Sequence, residues 1–184
     1  MRGDIMELKS CAITGHRPTR FKWKYQENNS GCLRLKKRLR EQLIEIYEQG
    51  VRHFWVGGAL GVDMWAGEIL LELKKSLQYT DLELHLALPF AGYSNKWDPK
   101  SKRRMAALLE NCNSSITVGT ADKPAESYKK RNYYMVDQAD CLLAVYDNNR
   151  TIRSGTGMTV NYAKKRGVQI IYIHPDTMAV SAET

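Results

Sequence analysis

Three short segments of this chain combine glycines with hydroxyl-bearing and charged residues, a mixture suited to holding a phosphate group. They are Thr14-Gly15-His16-Arg17, Gly57-Gly58-Ala59-Leu60-Gly61-Val62-Asp63 and Ser154-Gly155-Thr156-Gly157-Met158-Thr159. Glycine lets backbone N–H groups approach a ligand closely, and the first turn of a helix leaves N–H groups free for an anion. The second and third segments are such turns before predicted helices, and Arg150 and Arg153 lie close to the third. Together they predict a phosphate-bearing ligand.

Each segment also has an alternative, purely structural interpretation. Arg17 is either placed to reach an anion or is a solvated residue of a simple turn. Asp63 either caps the helix that follows it or accepts a hydrogen bond from a ribose hydroxyl. The segment at 57–63 is neither a Walker loop nor a GxGxxG fingerprint, because its glycines are spaced differently. Two turns this rich in small residues favour the ligand over the structural interpretation.

Arg131 is the cation whose place in a predicted helix indicates a buried role. It shares one helical face with Tyr128 and Met135, at spacings of three and four residues. That face should point at the sheet, where a cation needs an anionic partner, and a bound phosphate would serve. Its neighbour Asn132, and Pro89 at the end of the third predicted strand, complete the candidate ligand-binding set.

Aromatic residues in predicted loops have two interpretations. Trp23, Tyr93 and Trp97 either stack on a base or anchor their loops. The anchoring role is favoured, because tryptophan and tyrosine commonly serve it.

No metal site is predicted from the spacing of histidine or cysteine. The histidines form no ligand constellation along the chain; they are His16, His53, His85 and His174. The cysteines form no CxxC pair; they are Cys11, Cys32, Cys112 and Cys141. Buried thiols in a reducing compartment are the simplest account of these cysteines, which predicts a cytoplasmic protein.

Short apolar runs of strand length alternate with longer runs of helical periodicity, and these elements must position the three segments. The predicted strands are 11–13, 53–56, 82–88, 115–118, 141–146 and 169–173, and the predicted helices are 32–48, 62–77, 99–111, 126–139 and 156–166. This alternation implies right-handed βαβ crossovers and a parallel sheet that is covered on both faces. Ligands of such sheets lie beyond the carboxyl ends of the strands, where all three segments begin.

The predicted fold class is therefore α/β: a single doubly wound Rossmann-like domain over residues 1–184. Its mostly parallel six-stranded sheet has helices on both faces. The core should span about 9–175, and Pro175 should begin a short loose tail.

Composition narrows the classes of partner. The chain has 184 residues, with 28 Lys and Arg against 20 Asp and Glu, so its net charge of +8 favours anionic partners. It contains no apolar run of about 18 residues, and no membrane span is expected. Arg2, Asp4 and Glu7 surround only a very short apolar stretch, which is not a signal peptide.

Four segments together resemble the YpsA-like family of the SLOG superfamily. They are residues 11–18, 57–63, 131–137 and 154–163, in family order across roughly 9–173. That superfamily contains Rossmann-like domains, including the LOG (lysine decarboxylase-like) proteins and the Smf/DprA domain. The resemblance implies a site for nucleotide-like ligands, among them NAD- or ADP-ribose-derived signals. Some members of the superfamily cleave a base from a nucleoside monophosphate, and the DNA-processing members bind single-stranded DNA.

The hydrolytic LOG proteins carry a PGGxGTxxE motif, whose Glu works with an Arg on the preceding helix. Arg131 matches that Arg and Gly155-Thr156 matches the GT pair, but Thr159 occupies the position of the Glu. A hydroxyl cannot replace a carboxylate in proton transfer or in stabilising a ribosyl cation. Whether the chain is an enzyme is left open, with Asp63 and Asp147 as other candidate carboxylates.

The expected function is binding of a nucleotide or an ADP-ribose- or NAD-derived ligand, as a sensor or sequestering protein; no other cofactor is expected. One alternative is a LOG-like N-glycosidic hydrolase. A second is DprA-like binding of single-stranded nucleic acid through the basic stretches 34–40 and 100–104. The first stretch shares its helix with Glu41, Glu45 and Glu48, which favours a solvated face over a DNA-binding strip. The sequence leaves self-association open.

Overall fold

The computed structural model describes residues 8–184, which form a seven-stranded sheet with helices on both faces. The strands are β1 (Ser10–Gly15), β2 (His53–Val56), β3 (Glu83–Leu88), β4 (Ser114–Thr117), β5 (Cys141–Val145), β6 (Gln169–Ile173) and β7 (Val180–Glu183). The helices are α1 (Ser30–Glu48), α2 (Val62–Lys74), α3 (Pro99–Asn111), α4 (Pro124–Asp137) and α5 (Gly155–Lys165). The predicted Rossmann-like α/β fold with a mostly parallel sheet is confirmed.

The order of the strands places a topological switch between β1 and β5. Across the sheet the order is β4-β3-β2-β1-β5-β6-β7, and every neighbouring pair is parallel except β6 with β7. The chain builds outward from β1 to β4, then returns through α4 to pair β5 with the other side of β1. Loops at such a switch diverge to opposite faces of the sheet, so a crevice opens between them at the carboxyl ends of the strands.

The strands bury both of their faces, which is why they read as continuous apolar runs. On β1, Cys11 and Ile13 join the cluster that α1, α2 and α3 cover, whereas Ala12 joins the cluster under α4 and α5. All three side chains are fully buried. The core therefore consists of two layers, one on each face of the sheet, and the sheet between them fixes the positions of the strand ends from which the candidate site is built.

The seventh strand corrects two expectations, the six-stranded sheet and the loose tail. After Ile173 the chain reverses in a turn in which the N–H of His174 donates to the carbonyl of Ala179 (2.9 Å). Val180 then pairs antiparallel with Ile173. All four residues of β7 are exposed, so hydrogen bonds of an edge strand hold it and no apolar run signals it in the sequence.

Within residues 8–184, none of the helices is both long and apolar enough to cross a membrane. The expectation that the amino-terminal segment is not a signal peptide rests on Arg2, Asp4 and Glu7, which lie outside the described residues.

Candidate functional site

A cavity of about 240 Å³, the switch-point cavity, opens at the carboxyl ends of β1 and β5. Its walls come from the segment after β1, the inner face of α4 and the first turn of α5. The predicted site residues that line it are Thr14, Gly15, His16, Arg17, Ala59, Asp63, Arg131, Asn132, Ser154, Gly155 and Thr156. The topology thus brings together three segments that lie far apart in the chain, and their role in ligand binding stays a prediction.

Six predicted site residues are not among those that line this cavity: Gly57, Gly58, Gly61, Pro89, Gly157 and Thr159. Conversely, the cavity has lining residues that the candidate set omitted: Thr19, Arg20, Tyr128, Met135 and Arg153. Helical spacing from Arg131 was a usable signal for Tyr128 and Met135, since all three share one face of α4. Thr19 and Arg20 lie in a short 3₁₀ turn that no pattern in the sequence marks.

The first turn of α5 presents free backbone donors to the switch-point cavity. Ser154 caps the helix, and its Oγ accepts a hydrogen bond from the N–H of Gly157 (3.0 Å). The first intrahelical bond runs from the N–H of Met158 to the carbonyl of Ser154 (3.1 Å). The N–H groups of Gly155 and Thr156 precede that bond, so the helix leaves them for an outside acceptor. This is the usual geometry of an anion site at a helix amino terminus.

Gly155 leaves open space at this turn. A Cβ atom built on it would meet only the Nδ2 atom of Asn132, at 3.8 Å. Gly155 is exposed, whereas Thr156 beside it is buried. The absence of a side chain at Gly155 therefore keeps the mouth of the cavity open, and no neighbouring protein atom requires it.

In the loop between β2 and α2, the absence of side chains at the glycines has a different physical reason. A Cβ on Gly57 would collide with the guanidinium of Arg131, whose Nη1 donates to the carbonyl of Gly57. Gly61 has φ +90°, and a Cβ there would lie 2.8 Å from the carbonyl oxygen of His16. These glycines admit atoms of the protein itself. This differs from the sequence-based interpretation, in which they admitted phosphate.

Arg131 and Asp63 form a buried pair on the wall of the switch-point cavity. Arg131 is 4 % exposed and Asp63 is 6 % exposed, and Nη1 lies 3.9 Å from Oδ2. Burial raises the pKa of Asp63 and lowers that of Arg131, and each charge partly offsets the effect on the other. The inward position predicted for Arg131 is confirmed, but its anionic partner within the chain is Asp63. Asp63 does not cap α2; its Oδ2 instead accepts from the N–H of Ala59 (3.3 Å).

Arg131 retains donors after these contacts. Its Nε donates to the Oδ1 of Asn132 (2.7 Å), and its Nη1 is directed at Gly57 and Asp63. Within residues 8–184, the Nη2 amino group has no hydrogen-bond partner. A guanidinium held from one side in this way offers its other side to an anion in the cavity.

The charge around the cavity is strongly positive. Four arginines line it, against the single carboxylate of Asp63 among the lining residues; they are Arg17, Arg20, Arg131 and Arg153. Arg17 is exposed and lies over the ring of Tyr128 at 5.0 Å. Arg20 is engaged with Asp147 (Nη2 to Oδ2, 3.6 Å), and its charge therefore contributes less to the cavity than that of Arg17.

His16 lies beside this ion pair at the base of the cavity. It is 3 % exposed, and its Nε2 lies 3.4 Å from the Oδ1 of Asp147. Burial and the neighbouring charge of Arg20 lower the pKa of His16 below its usual value, although Asp147 acts in the opposite direction. His16 is therefore neutral at neutral pH and is a hydrogen-bond partner of Asp147, which does not itself line the cavity.

A second cavity, of about 290 Å³, adjoins the first and is called the aromatic cavity. Tyr25, Tyr93, Trp97 and Tyr128 line it, together with Arg17, which also lines the switch-point cavity. Of the three loop aromatics singled out in the sequence, Tyr93 and Trp97 reach this cavity. Trp23 stacks on Phe21 in the core instead, with 5.0 Å between ring centroids.

The amino-terminal ends of β2 and β3, opposite to the cavities, hold a cluster of ionisable side chains. Parallel pairing sets His53, the first residue of β2, beside Glu83, the first residue of β3. His85 follows on the same face of β3, and its ring lies against that of His53, with 5.3 Å between centroids. The expectation of no metal site rested on spacing along the chain, which does not register this cross-strand arrangement.

A family model described as "YspA SLOG family" matches residues 11–178 of this chain. The chain belongs to the YpsA family of the SLOG superfamily. A UPF0398 protein of Bacillus cereus is 30 % identical over 162 residues, which cover 87 % of this chain and 85 % of that protein. A UPF0398 protein of Bacillus thuringiensis has the same identity and coverage. The predicted family is confirmed.

Two solved structures share the fold of this YpsA-family chain. DNA processing protein A of Helicobacter pylori, described with a single-stranded DNA binding mode, has a TM-score of 0.57 at 16 % identity. The Streptococcus pneumoniae protein of that name has a TM-score of 0.58 at 14 % identity. The likeness covers 89 % and 90 % of this chain, which spans only 64 % and 50 % of those two chains. At such identities the likeness shows the fold alone.

Within the YpsA-family chain, Thr159 stands where the LOG motif has its glutamate. Thr159 is fully buried, and its Oγ1 donates to the carbonyl of Gly155 in the preceding turn (2.9 Å). Its hydroxyl is used inside α5 and is not directed into the cavity. The residue thus neither supplies a carboxylate nor lines the switch-point cavity.

Proposed function

We propose that the switch-point cavity binds the phosphate of a nucleotide, of ADP-ribose- or NAD-derived type, and that the protein acts as a sensor or sequestering protein. The observation that carries this proposal is the convergence of two kinds of donor. The N–H groups of Gly155 and Thr156 and the free Nη2 of Arg131 belong to residues that line one cavity. Oriented backbone dipoles and a guanidinium together suit the several acceptor oxygens of a phosphate.

The adjoining aromatic cavity suits the base of the same ligand. It shares Arg17 and Tyr128 with the switch-point cavity, so a ligand with its phosphate in one can extend into the other. Tyr93 and Trp97 contribute aromatic surface, and the hydroxyl of Tyr93 is already bound to the carbonyl of Gly58 (2.9 Å). Their rings therefore offer stacking surface without a buried hydroxyl in need of a partner.

Binding fits the arrangement of carboxylates better than N-glycosidic hydrolysis. Among the described residues that line the cavity, Asp63 is the carboxylate, and it already faces Arg131 and the N–H of Ala59. Asp147 is held by His16 and Arg20, and Thr159 is buried. A general acid or a ribosyl-stabilising carboxylate must face the substrate, and neither aspartate is free to do so without giving up its present partners.

Nucleic-acid binding is the second candidate, because two structural neighbours of this chain are DNA processing proteins. Four of the nine basic residues in the two stretches that would carry it are paired with carboxylates of the chain itself: Lys36, Arg38, Arg40 and Arg104. Lys36 meets Glu27 (2.6 Å), and Arg104 meets both Glu27 (2.8 Å) and Glu68 (2.6 Å). Such pairing reduces the positive charge that a phosphate backbone would neutralise, so the proposal favours a small ligand.

We also propose that the protein works in the cytoplasm. Its four cysteines are free thiols, and three of them are buried. Free thiols persist in a reducing compartment.

The test is titration calorimetry of the full chain with ADP-ribose, AMP, NAD and adenosine. The three phosphate-bearing ligands should bind, and adenosine should bind at least tenfold more weakly, because it lacks the group that the donors face. Arg153→Ala should weaken the binding of the phosphate-bearing ligands. Arg34→Ala removes a cation outside both cavities and should leave their affinity unchanged. Equal binding of adenosine would overturn the proposal.

Two further measurements separate the alternatives. Incubation with nucleoside monophosphates should release no free base, and rapid release that Arg131→Ala abolishes would promote the hydrolase. A single-stranded oligonucleotide should bind weakly at physiological salt. Tight binding with a steep salt dependence would promote the nucleic-acid candidate.

A further inference from the structure

Three ligand atoms of metal-binding type converge at the amino-terminal ends of β2 and β3. The Nδ1 of His53 lies 3.0 Å from the Nε2 of His85. The Oε2 of Glu83 lies 3.3 Å from the first nitrogen and 3.4 Å from the second. All three atoms thus form a nearly equilateral triangle, and together they are the one such group of His, Cys, Asp and Glu found within residues 8–184.

We propose that His53, Glu83 and His85 bind a divalent transition metal ion of the zinc type. Zinc binds imidazole nitrogen and carboxylate oxygen at about 2.0–2.2 Å, and in a tetrahedron these bonds separate neighbouring ligand atoms by about 3.3–3.5 Å. The triangle described above has edges close to that length. A cation seated above it satisfies three ligand atoms that otherwise have to share protons among themselves.

The surroundings of His85 orient its ring for such a role. Its Nδ1 lies 2.6 Å from the Oγ of Ser114 on β4, which leaves Nε2 to face Glu83 and His53. The ring also stacks on Trp55, with 4.7 Å between centroids, and Trp55 in turn meets the edge of Tyr134 on α4. Metal-binding histidines commonly bond a second group through their other ring nitrogen, which holds the ring in place.

The kind of metal follows from the ligands. Two imidazoles and one carboxylate, without a thiolate, suit Zn²⁺, Co²⁺ or Ni²⁺ better than Mg²⁺ or Ca²⁺, which prefer oxygen ligands. The side chains of His53 and Glu83 are 46 % and 42 % exposed, whereas that of His85 is 11 % exposed. The site therefore has a buried floor and a solvent-facing side, where water or another donor completes the coordination.

The proposed metal site is independent of the proposed nucleotide site. It lies at the amino-terminal ends of the strands, and both cavities lie at the carboxyl-terminal side of the sheet. A metal bound by residues of two adjacent strands stabilises their pairing, because the unfolded chain does not hold the three ligands together. We therefore expect metal to raise the thermal stability of the chain without any nucleotide.

The experiment uses the full chain without a histidine tag, treated with a chelator and dialysed. Titration with Zn²⁺ should show one ion per chain, and Co²⁺ should give the intense visible absorption of a tetrahedral site. His53→Ala and Glu83→Gln change partly exposed side chains. Each removes a ligand, so each should weaken Zn²⁺ binding by more than the roughly 10–100-fold that is typical of losing a group that only orients a ligand. Ser114→Ala should weaken Zn²⁺ binding by about tenfold, because the variant loses the group that orients His85.

His174→Ala is the matched control, because His174 is a histidine outside the cluster, and it should bind Zn²⁺ like the wild type. Circular dichroism of each metal-free variant checks that it is folded. The proposal is overturned if the wild type binds neither Zn²⁺ nor Co²⁺. It is also overturned if folded His53→Ala and Glu83→Gln chains keep the affinity of the wild type.

Discussion

The two glycine-rich turns of this protein look alike in sequence and serve different needs in the fold. In the loop between β2 and α2, the absence of a side chain at Gly57 leaves room for the guanidinium of Arg131. The same absence at Gly61 leaves room for the carbonyl of His16. In the turn before α5, Gly155 has no protein atom within ordinary contact range except one amide nitrogen, at 3.8 Å. The space beside Gly57 and Gly61 is filled by protein, whereas the space beside Gly155 is open; Gly157 in the same turn is again close to protein, since a Cβ there would lie 3.0 Å from the hydroxyl oxygen of Tyr146.

This difference shows that a small residue can mark either a close contact inside the protein or access for a ligand. Substitution separates the two cases. A side chain added at Gly57 should disturb folding, whereas one added at Gly155 should disturb binding alone. Substitutions at Arg131, Gly57, Gly155 and Ser154 test that contrast, from the largest expected effect to the smallest.

Removing the side chain that fills the first turn should have the largest effect. Arg131→Ala leaves Asp63 buried without its counter-charge, which should lower the free energy of unfolding by about 3–5 kcal/mol at pH 7. Urea denaturation measures this loss. Arg34→Ala is the exposed control and should change little.

The loss in Arg131→Ala should also depend on pH. Burial already raises the pKa of Asp63, and removing the guanidinium raises it further, above the value in the unfolded chain. A raised pKa in the folded state means that protonation favours folding as the pH falls. The deficit of the variant should therefore shrink from pH 7 towards acid, and a constant deficit would contradict the assignment of Asp63 as the partner.

Filling the first turn should have the next largest effect. Gly57→Ala places a Cβ against Arg131 and 2.7 Å from the Oδ2 of Asp63, so it should cost about 1–3 kcal/mol through overpacking. Gly155→Ala is the matched control in the second turn. It should leave stability unchanged or raise it by up to about 1 kcal/mol, because alanine restricts the unfolded chain more than glycine does. Equal losses in the two variants would remove the contrast between the turns.

Filling the second turn with a larger side chain should weaken binding. Gly155→Leu projects into the mouth of the switch-point cavity, and it should reduce affinity for ADP-ribose at least tenfold, or about 1.4 kcal/mol. Its unfolding free energy should stay within about 1 kcal/mol of that of Gly155→Ala, since no protein atom lies close to the site of substitution. Calorimetry and urea denaturation of the same preparations measure the two quantities. Unchanged affinity would contradict the placement of the phosphate at this turn.

The smallest effect should come from the cap of α5. Ser154→Ala removes the oxygen that accepts from the N–H of Gly157, which should cost about 1 kcal/mol of stability. Ser154→Asp keeps an acceptor but adds a negative charge at the cavity. It should retain stability and weaken phosphate binding, so the pair of variants separates the capping role from the ligand role.

The fold was largely predictable from the sequence, for a physical reason. Strands such as β5 are buried on both faces, and five consecutive buried residues, Cys141–Val145, read directly as an apolar run. The edge strand β7 escaped prediction because all its residues are exposed and backbone hydrogen bonds to β6 hold it. Periodicity detects burial, and it does not detect hydrogen bonds at an edge.

The candidate site was partly predictable on similar grounds. Parallel strands end at a common edge, so the segments that follow β1 and β5 had to meet there, and Thr14 and Ser154 do line one cavity. The partner of Arg131 was not predictable, because helical periodicity indicates the direction of a side chain and does not identify what it meets. Asp63 reaches it only through the packing of α2 and α4 around the end of β2.

The sequence by itself determined the α/β class, the family and the edge of the sheet at which the glycine-rich segments gather. These properties follow from local patterns and from the short range of strand and helix periodicity. The tertiary structure alone decided that Gly57 admits Arg131 whereas Gly155 faces open space, and that His53 and His85 lie 3.0 Å apart at their nearest ring nitrogens. Both depend on the register and packing of segments distant in the chain, which spacing along the sequence does not encode.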